Sequence, residues 1–87
     1  MARMDMTAAT GASPVENSAE AFYRLGLMYT AGRDCPVDFV AAHKWFNVAL
    51  MRGFPQAAEA RAELASQMSK DELAEALREA RAFLTMH

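Results

Sequence analysis

The stretch Asp38 to Gly53, DFVAAHKWFNVALMRG, constrains this chain more than any other. On a helix turning about 100° per residue, Phe39, Ala42, Trp45, Phe46, Ala49 and Leu50 form one broad apolar face. Val40, Val48 and Met51 lie on the opposite side, interrupted only by Lys44 and Asn47. A helix that is apolar nearly all the way round is sandwiched between neighbours rather than laid on a surface. The remaining segments are therefore read as its cover. Trp45, as a large buried aromatic at the centre, is expected to cost of order 3–5 kcal/mol on truncation to alanine.

The cover is helical. Ser13-Pro14-Val15-Glu16 has the form of a capping box with proline at the first helical position, and Ser18 is a rival cap. A first helix over about 14–31 then carries Ala21, Phe22, Leu25 and Tyr29 as its core stripe and stops at Gly32. Gly26 stands inside it, where glycine costs about 1 kcal/mol against alanine and marks a close approach by another helix. After a short turn, Pro36 opens the second helix (36–52), with Asp38 in its first turn favourably placed against the helix dipole. Pro55 opens a third (55–67) bearing Ala57, Ala60, Leu64 and Met68, and the capping box Ser69-Lys70-Asp71-Glu72 opens a fourth (70–85). That last helix presents Leu73, Leu77, Ala80 and Leu84, with Ala76 and Phe83 beside them, as a clean stripe. Short connections imply antiparallel neighbours.

At 87 residues the chain suffices for one domain, read as 13–87 behind a disordered lead-in over 1–12. A hydrophobic fraction of 53% supports a packed core. The net charge of −2 argues against a protein that binds nucleic acid by neutralising phosphates. From Ala57 onward Glu59, Glu63, Asp71, Glu72, Glu75 and Glu79 face Arg61, Lys70, Arg78 and Arg81, the mixed-sign surface of solvated helices. Cys35, alone, can form no intrachain disulfide, no run approaches a membrane span, and Asp5 breaks any signal-like apolar run. No membrane association is expected, and cytoplasmic residence is the default reading.

The spacing Ala21-x3-Leu25-Gly26-x2-Tyr29-x2-Gly32, followed by Asp38-x3-Ala42-x2-Trp45-Phe46-x2-Ala49-x3-Gly53-x3-Ala57, resembles the Sel-one-like repeat, a cousin of the tetratricopeptide repeat. The match spans one unit, about 21–57. Asp34 and Cys35 depart from it, standing where the family usually has a second glycine and a valine, and 58–87 lacks a second unit in register. The resemblance implies an all-α, tetratricopeptide-like α-solenoid of four antiparallel helices, one unit plus a degenerate closing pair. It further implies a protein–protein interaction module, an adaptor or scaffold, whose first helix lines the binding face. Tyr23, Arg24 and Leu27 would then contact a peptide or partner helix, unless helix three or four covers them. The alternative is a homodimer in which a second copy closes the open face.

Little in the sequence suggests chemistry. Cys35 and His43 are a thiol and an imidazole eight residues apart, with only Asp34 or Asp38 to orient them and no sign of an oxyanion site; a free structural thiol is the better reading. His43, His87, Cys35 and the carboxylates match no recurring metal spacing. Glu75, Glu79, Arg78 and Arg81 read as solvated charge with weak pairing. No enzyme activity, cofactor or metal is expected.

Overall fold

A computed structural model describes residues 18–86, which form four helices: α1 (Ala19–Ala31), α2 (Phe39–Met51), α3 (Ala57–Ala65) and α4 (Lys70–Met86). The expected lead-in over 1–12 and the Ser13 capping box lie outside the described residues. The cap that is described is Ser18, whose hydroxyl oxygen accepts from the Ala21 N–H at 3.1 Å. Gly32 ends α1 as expected, at φ +71°, with its N–H donating to the Met28 carbonyl at 2.9 Å.

The second and third helices start later than their prolines suggest. Asp38, extended at φ −149°, is the N-cap of α2, and its Oδ1 accepts from the Ala41 N–H at 3.0 Å. Pro36 therefore lies in the loop, because a carboxylate that satisfies a free helix N–H sets the boundary more firmly than a proline's φ. Pro55 likewise belongs to a tight turn, in which the Ala57 and Ala58 N–H groups donate three residues back to Phe54 and Pro55. The far end of α3 closes in the same way, with Gln67 donating to Leu64 and Met68 to Ala65, so Met68 reaches the core from a turn. At α4 the capping box forms reciprocally: the Glu72 N–H donates to Ser69 Oγ at 3.1 Å and the Ser69 N–H to Glu72 Oε1 at 2.9 Å.

The substantial helix–helix contacts all involve α2, which packs against α1, α3 and α4. Its packing on more than one side follows from its composition, since Val48 lies opposite the face of Ala42, Phe46 and Ala49 and yet all four are buried. The α1–α2 pair is antiparallel: Tyr23 meets Phe54, while the Asp38 N–H donates to the Tyr29 carbonyl at 3.0 Å.

This hub arrangement overturns the solenoid expected from the Sel-one-like resemblance. In a solenoid each unit stacks on its neighbour and leaves an extended binding face. Here α3 and α4 both return to α2, giving a compact four-helix bundle with no open repeat face to close. The spacing that carries the resemblance answers a local need. Gly26 sits against α2, where a Cβ would fall within contact of three Phe46 ring carbons, Cζ at 2.9 Å among them. Any helix pair in such close approach needs a glycine there.

Two expectations about the core shift with this packing. Trp45 is only half-buried, stacked on Phe22 at 5.5 Å between ring centroids and 4° between planes, and edge-on to Phe83 at 5.0 Å. Phe46, at 1% exposure, occupies the centre instead. On α4 the buried positions are Ala76 and Ala80, and Leu77 is 43% exposed.

Gly26→Ala should therefore destabilise the domain by about 1–3 kcal/mol through overpacking, against the gain in helix propensity. In urea denaturation Phe46→Leu should cost less in the Gly26→Ala background than in the wild type, because the smaller side chain vacates the site of the clash. Additive costs would show that the two residues do not share that space.

Candidate functional site

With α1, α3 and α4 on three sides of α2, three furrows run along the molecule, and their floors are set by the α2 residue that looks out between each pair. Between α1 and α4 the furrow is filled. Phe22, Trp45 and Phe83 stack in it, with Lys44 Nζ 4.4 Å above the Trp45 ring and the Arg52 guanidinium 5.7 Å from Phe22.

Between α1 and α3 a groove of about 300 Å³ stays open. Phe46 forms its floor, Leu27 and Thr30 its α1 wall. The α3 wall is Ala60 and Leu64, with Glu63 and Gln67 beside them. Leu27 is 39% exposed. The Thr30 hydroxyl donates back to the Gly26 carbonyl at 2.8 Å, so it offers the groove no free donor. The cavity has room for one bulky side chain, at the small end of ligand-sized pockets.

The three residues expected to meet a partner do not sit together. Leu27 lines this groove. Tyr23, one turn earlier, is half-buried between Phe46 and Phe54, at 5.7 and 5.0 Å between ring centroids. Arg24 lies out in solvent, paired with Glu20 at 2.8 Å, an exposed i, i+4 contact worth a few tenths of a kcal/mol.

Between α3 and α4 the floor is polar. Arg61 of α3 donates through Nη1 to Asn47 Oδ1, and the Asn47 amide lies 3.0 Å from His43 Nδ1. His43 and Asn47 are both buried, at 5% and 6% exposure. The guanidinium can only donate, so Asn47 must turn its oxygen to Arg61 and its NH₂ to the imidazole. His43 Nδ1 is thereby an acceptor, and the ring is neutral with its proton on Nε2. Burial first, and then the Arg61 charge, hold the imidazole pKa below its ordinary 6.5. This network ties α2 to α3. The sequence does carry a signal for it, two polar residues four apart on a helix whose only other polar residue is Lys44.

The remaining candidates keep apart. Cys35 is a free thiol whose Sγ lies 3.9 Å from the Met28 carbonyl, and His43 is engaged with Asn47. No group of three metal-ligating side chains occurs among the described residues. Glu75, Glu79, Arg78 and Arg81 form no ion pairs among the described residues, where weak pairing was expected; the Glu20–Arg24 contact is the one ion pair there. No helix among the described residues is long and apolar enough to cross a membrane.

Fold and grooves together define a small all-helical domain organised on one hub helix. Comparison with protein-family models, with curated proteins and with solved structures gives no match for the chain, so no family model supports the Sel-one-like assignment.

The neutral His43 fixes a pH dependence. Its folded pKa is lowered, so near and below pH 6.5 the unfolded chain binds more protons and stability rises with pH, levelling off once the unfolded imidazole is neutral. Denaturation midpoints should be flat above about pH 7 and fall between about pH 6.5 and 5. His43→Leu should be less stable throughout but flatter over that window. An equal slope in both proteins would show that His43 does not titrate against folding.

Proposed function

We propose that this domain is a non-enzymatic protein-interaction module, and that the α1–α3 groove receives one bulky apolar side chain from a peptide or helix of another protein. The observation that carries the reading is the groove itself. It is open, floored by a phenylalanine and walled by Leu27, Ala60 and Leu64, with Glu63 and Gln67 as its polar edge. Covering the exposed Leu27 and the half-buried Ala60 favours an apolar anchor, and an interface core built on one or two anchors supplies most of its binding energy. Glu63, which has no ion-pair partner among the described residues, favours a base beside that anchor. Tyr23 acts beneath the groove by packing on Phe46, and Arg24 plays no part in it. The two side chains that catalysis would call on are committed to structural contacts, Cys35 to the Met28 carbonyl and His43 to Asn47. That favours binding over chemistry.

Selection from a random peptide display library on the immobilised domain tests the reading. The expected consensus is a Leu, Phe or Trp next to Lys or Arg, and Leu27→Lys should abolish binding of the selected peptides. Glu63→Lys should turn the preferred neighbour from base to acid, a specificity reversal that a merely structural role would not produce. Selected peptides without a shared anchor, or with unchanged affinity for Leu27→Lys, would contradict it.

A further inference from the structure

Of the three helices around α2, α3 has the weakest hold. It is nine residues long, buries only Ala57 and Leu64, and starts without a side-chain cap. Its substantial packing is on α2 alone. One side-chain hydrogen bond joins it to another helix among the described residues, from Arg61 to Asn47. The α3 wall of the α1–α3 groove, Ala60 and Leu64, therefore stands where that bond and two buried side chains put it.

The bond is conditional on a proton. With His43 neutral, the Asn47 NH₂ meets an acceptor at Nδ1, 3.0 Å away, and the amide oxygen is turned to Arg61. An imidazolium donates from both nitrogens. If the amide keeps its orientation, its NH₂ then faces the Nδ1 proton; if it turns over, its NH₂ faces the guanidinium. Either arrangement sets donor against donor at two side chains only 5% and 6% exposed, where water has little access to intervene. The surrounding charges offer no relief. Arg61 faces the ring from α3, and from α4 Arg81 lines the furrow that Asn47 floors. Glu59 and Glu63 of α3 are exposed, Glu20 and Arg24 of α1 are paired in solvent, and Lys44 of α2 sits over Trp45. No carboxylate of the described residues forms an ion pair with His43. Burial and the Arg61 charge both oppose protonation, so the ring takes up its proton below the ordinary 6.5.

We propose that protonation of His43 breaks the Arg61–Asn47 bond and releases α3 from α2 while α1 and α4 stay in place, removing one wall of the α1–α3 groove. Resting on the reading of that groove above, the domain then holds its ligand near neutral pH and lets it go in acid. The coupling is reciprocal, since an occupied groove needs α3 seated and so resists the proton. Where His43 is protonated in the free protein, binding expels one proton, and the ligand's Kd rises by up to about tenfold per pH unit of acidification.

Nuclear magnetic resonance of the full chain without ligand, titrated from about pH 7.5 to 5, tests the switch. The His43 ring nitrogens report the proton; the Ala60 and Leu64 methyls and the α3 amides report the helix. The α3 signals should move with the midpoint of His43, while the amides of α1 and α4 stay protected. Asn47→Asp leaves Arg61 an acceptor and gives the imidazolium one too. In that variant His43 should titrate at higher pH and α3 should stay seated over the same range. Titration of His43 without movement of Ala60 and Leu64 overturns the proposal. So does loss of all four helices at one midpoint, or an Asn47→Asp protein that releases α3 as the wild type does. Peptides selected on the groove give a separate reading: their affinity should fall with pH for the wild type and hold for Asn47→Asp. Release of α3 in a domain that selects no peptides supports the switch and counts against the binding reading alone.

Discussion

The contact of Phe46 with the bare backbone of Gly26 is what the rest of the structure rests on. Helices normally keep their axes apart by the width of their side chains. Where one helix offers glycine, the other can lay an aromatic ring directly on its backbone. That ring is then close enough to be covered by Tyr23 on one side and to floor the α1–α3 groove on the other. One residue thus closes the core and forms the base of a surface feature. Altering it for function means altering it for stability too.

The hub position of α2 also decides where the surface can have shape. Three helices around one leave three furrows, and each takes its character from α2. Trp45 fills the first with aromatic rings, Phe46 leaves the second open, and Asn47 gives the third a polar floor anchored by Arg61. Consecutive residues on one turn therefore produce a plugged, an open and a polar furrow. A fully apolar α2 would leave α3 free to slide. The Arg61–Asn47–His43 chain fixes its register, since a buried amide satisfied on both sides tolerates little displacement.

Much of this was legible in the sequence. The centrality of α2, the stop at Gly32, the close approach at Gly26 and the capping box at Ser69–Glu72 all follow from local rules that tertiary packing did not override. The architecture was not legible. A glycine-and-aromatic spacing that serves one tight helix pair reads equally well as a repeat unit, and only the return of α3 and α4 to α2 distinguishes the two. The same ambiguity moved the centre from Trp45 to Phe46, adjacent on one broad face: periodicity names the face, and the glycine opposite decides which ring goes deepest. Asn47 reads as an interruption and His43 as an imidazole without a role, because Arg61, which gives them one, lies fourteen residues past Asn47 on another helix. Leu77 read as core because its spacing is as regular as that of Ala76 and Ala80, and periodicity alone cannot tell a covered stripe from an uncovered one beside it.

The other three helices depend on α2, so it cannot open while any of them remains in place. Native-state hydrogen exchange, followed residue by residue at increasing denaturant, measures this directly. The amides of Phe46 to Leu50 should be the slowest in the protein and exchange only with global unfolding, while α1, α3 and α4 open at equal or lower free energy. If α2 amides exchange through a partial opening that leaves α1 or α4 protected, α2 is not the hub.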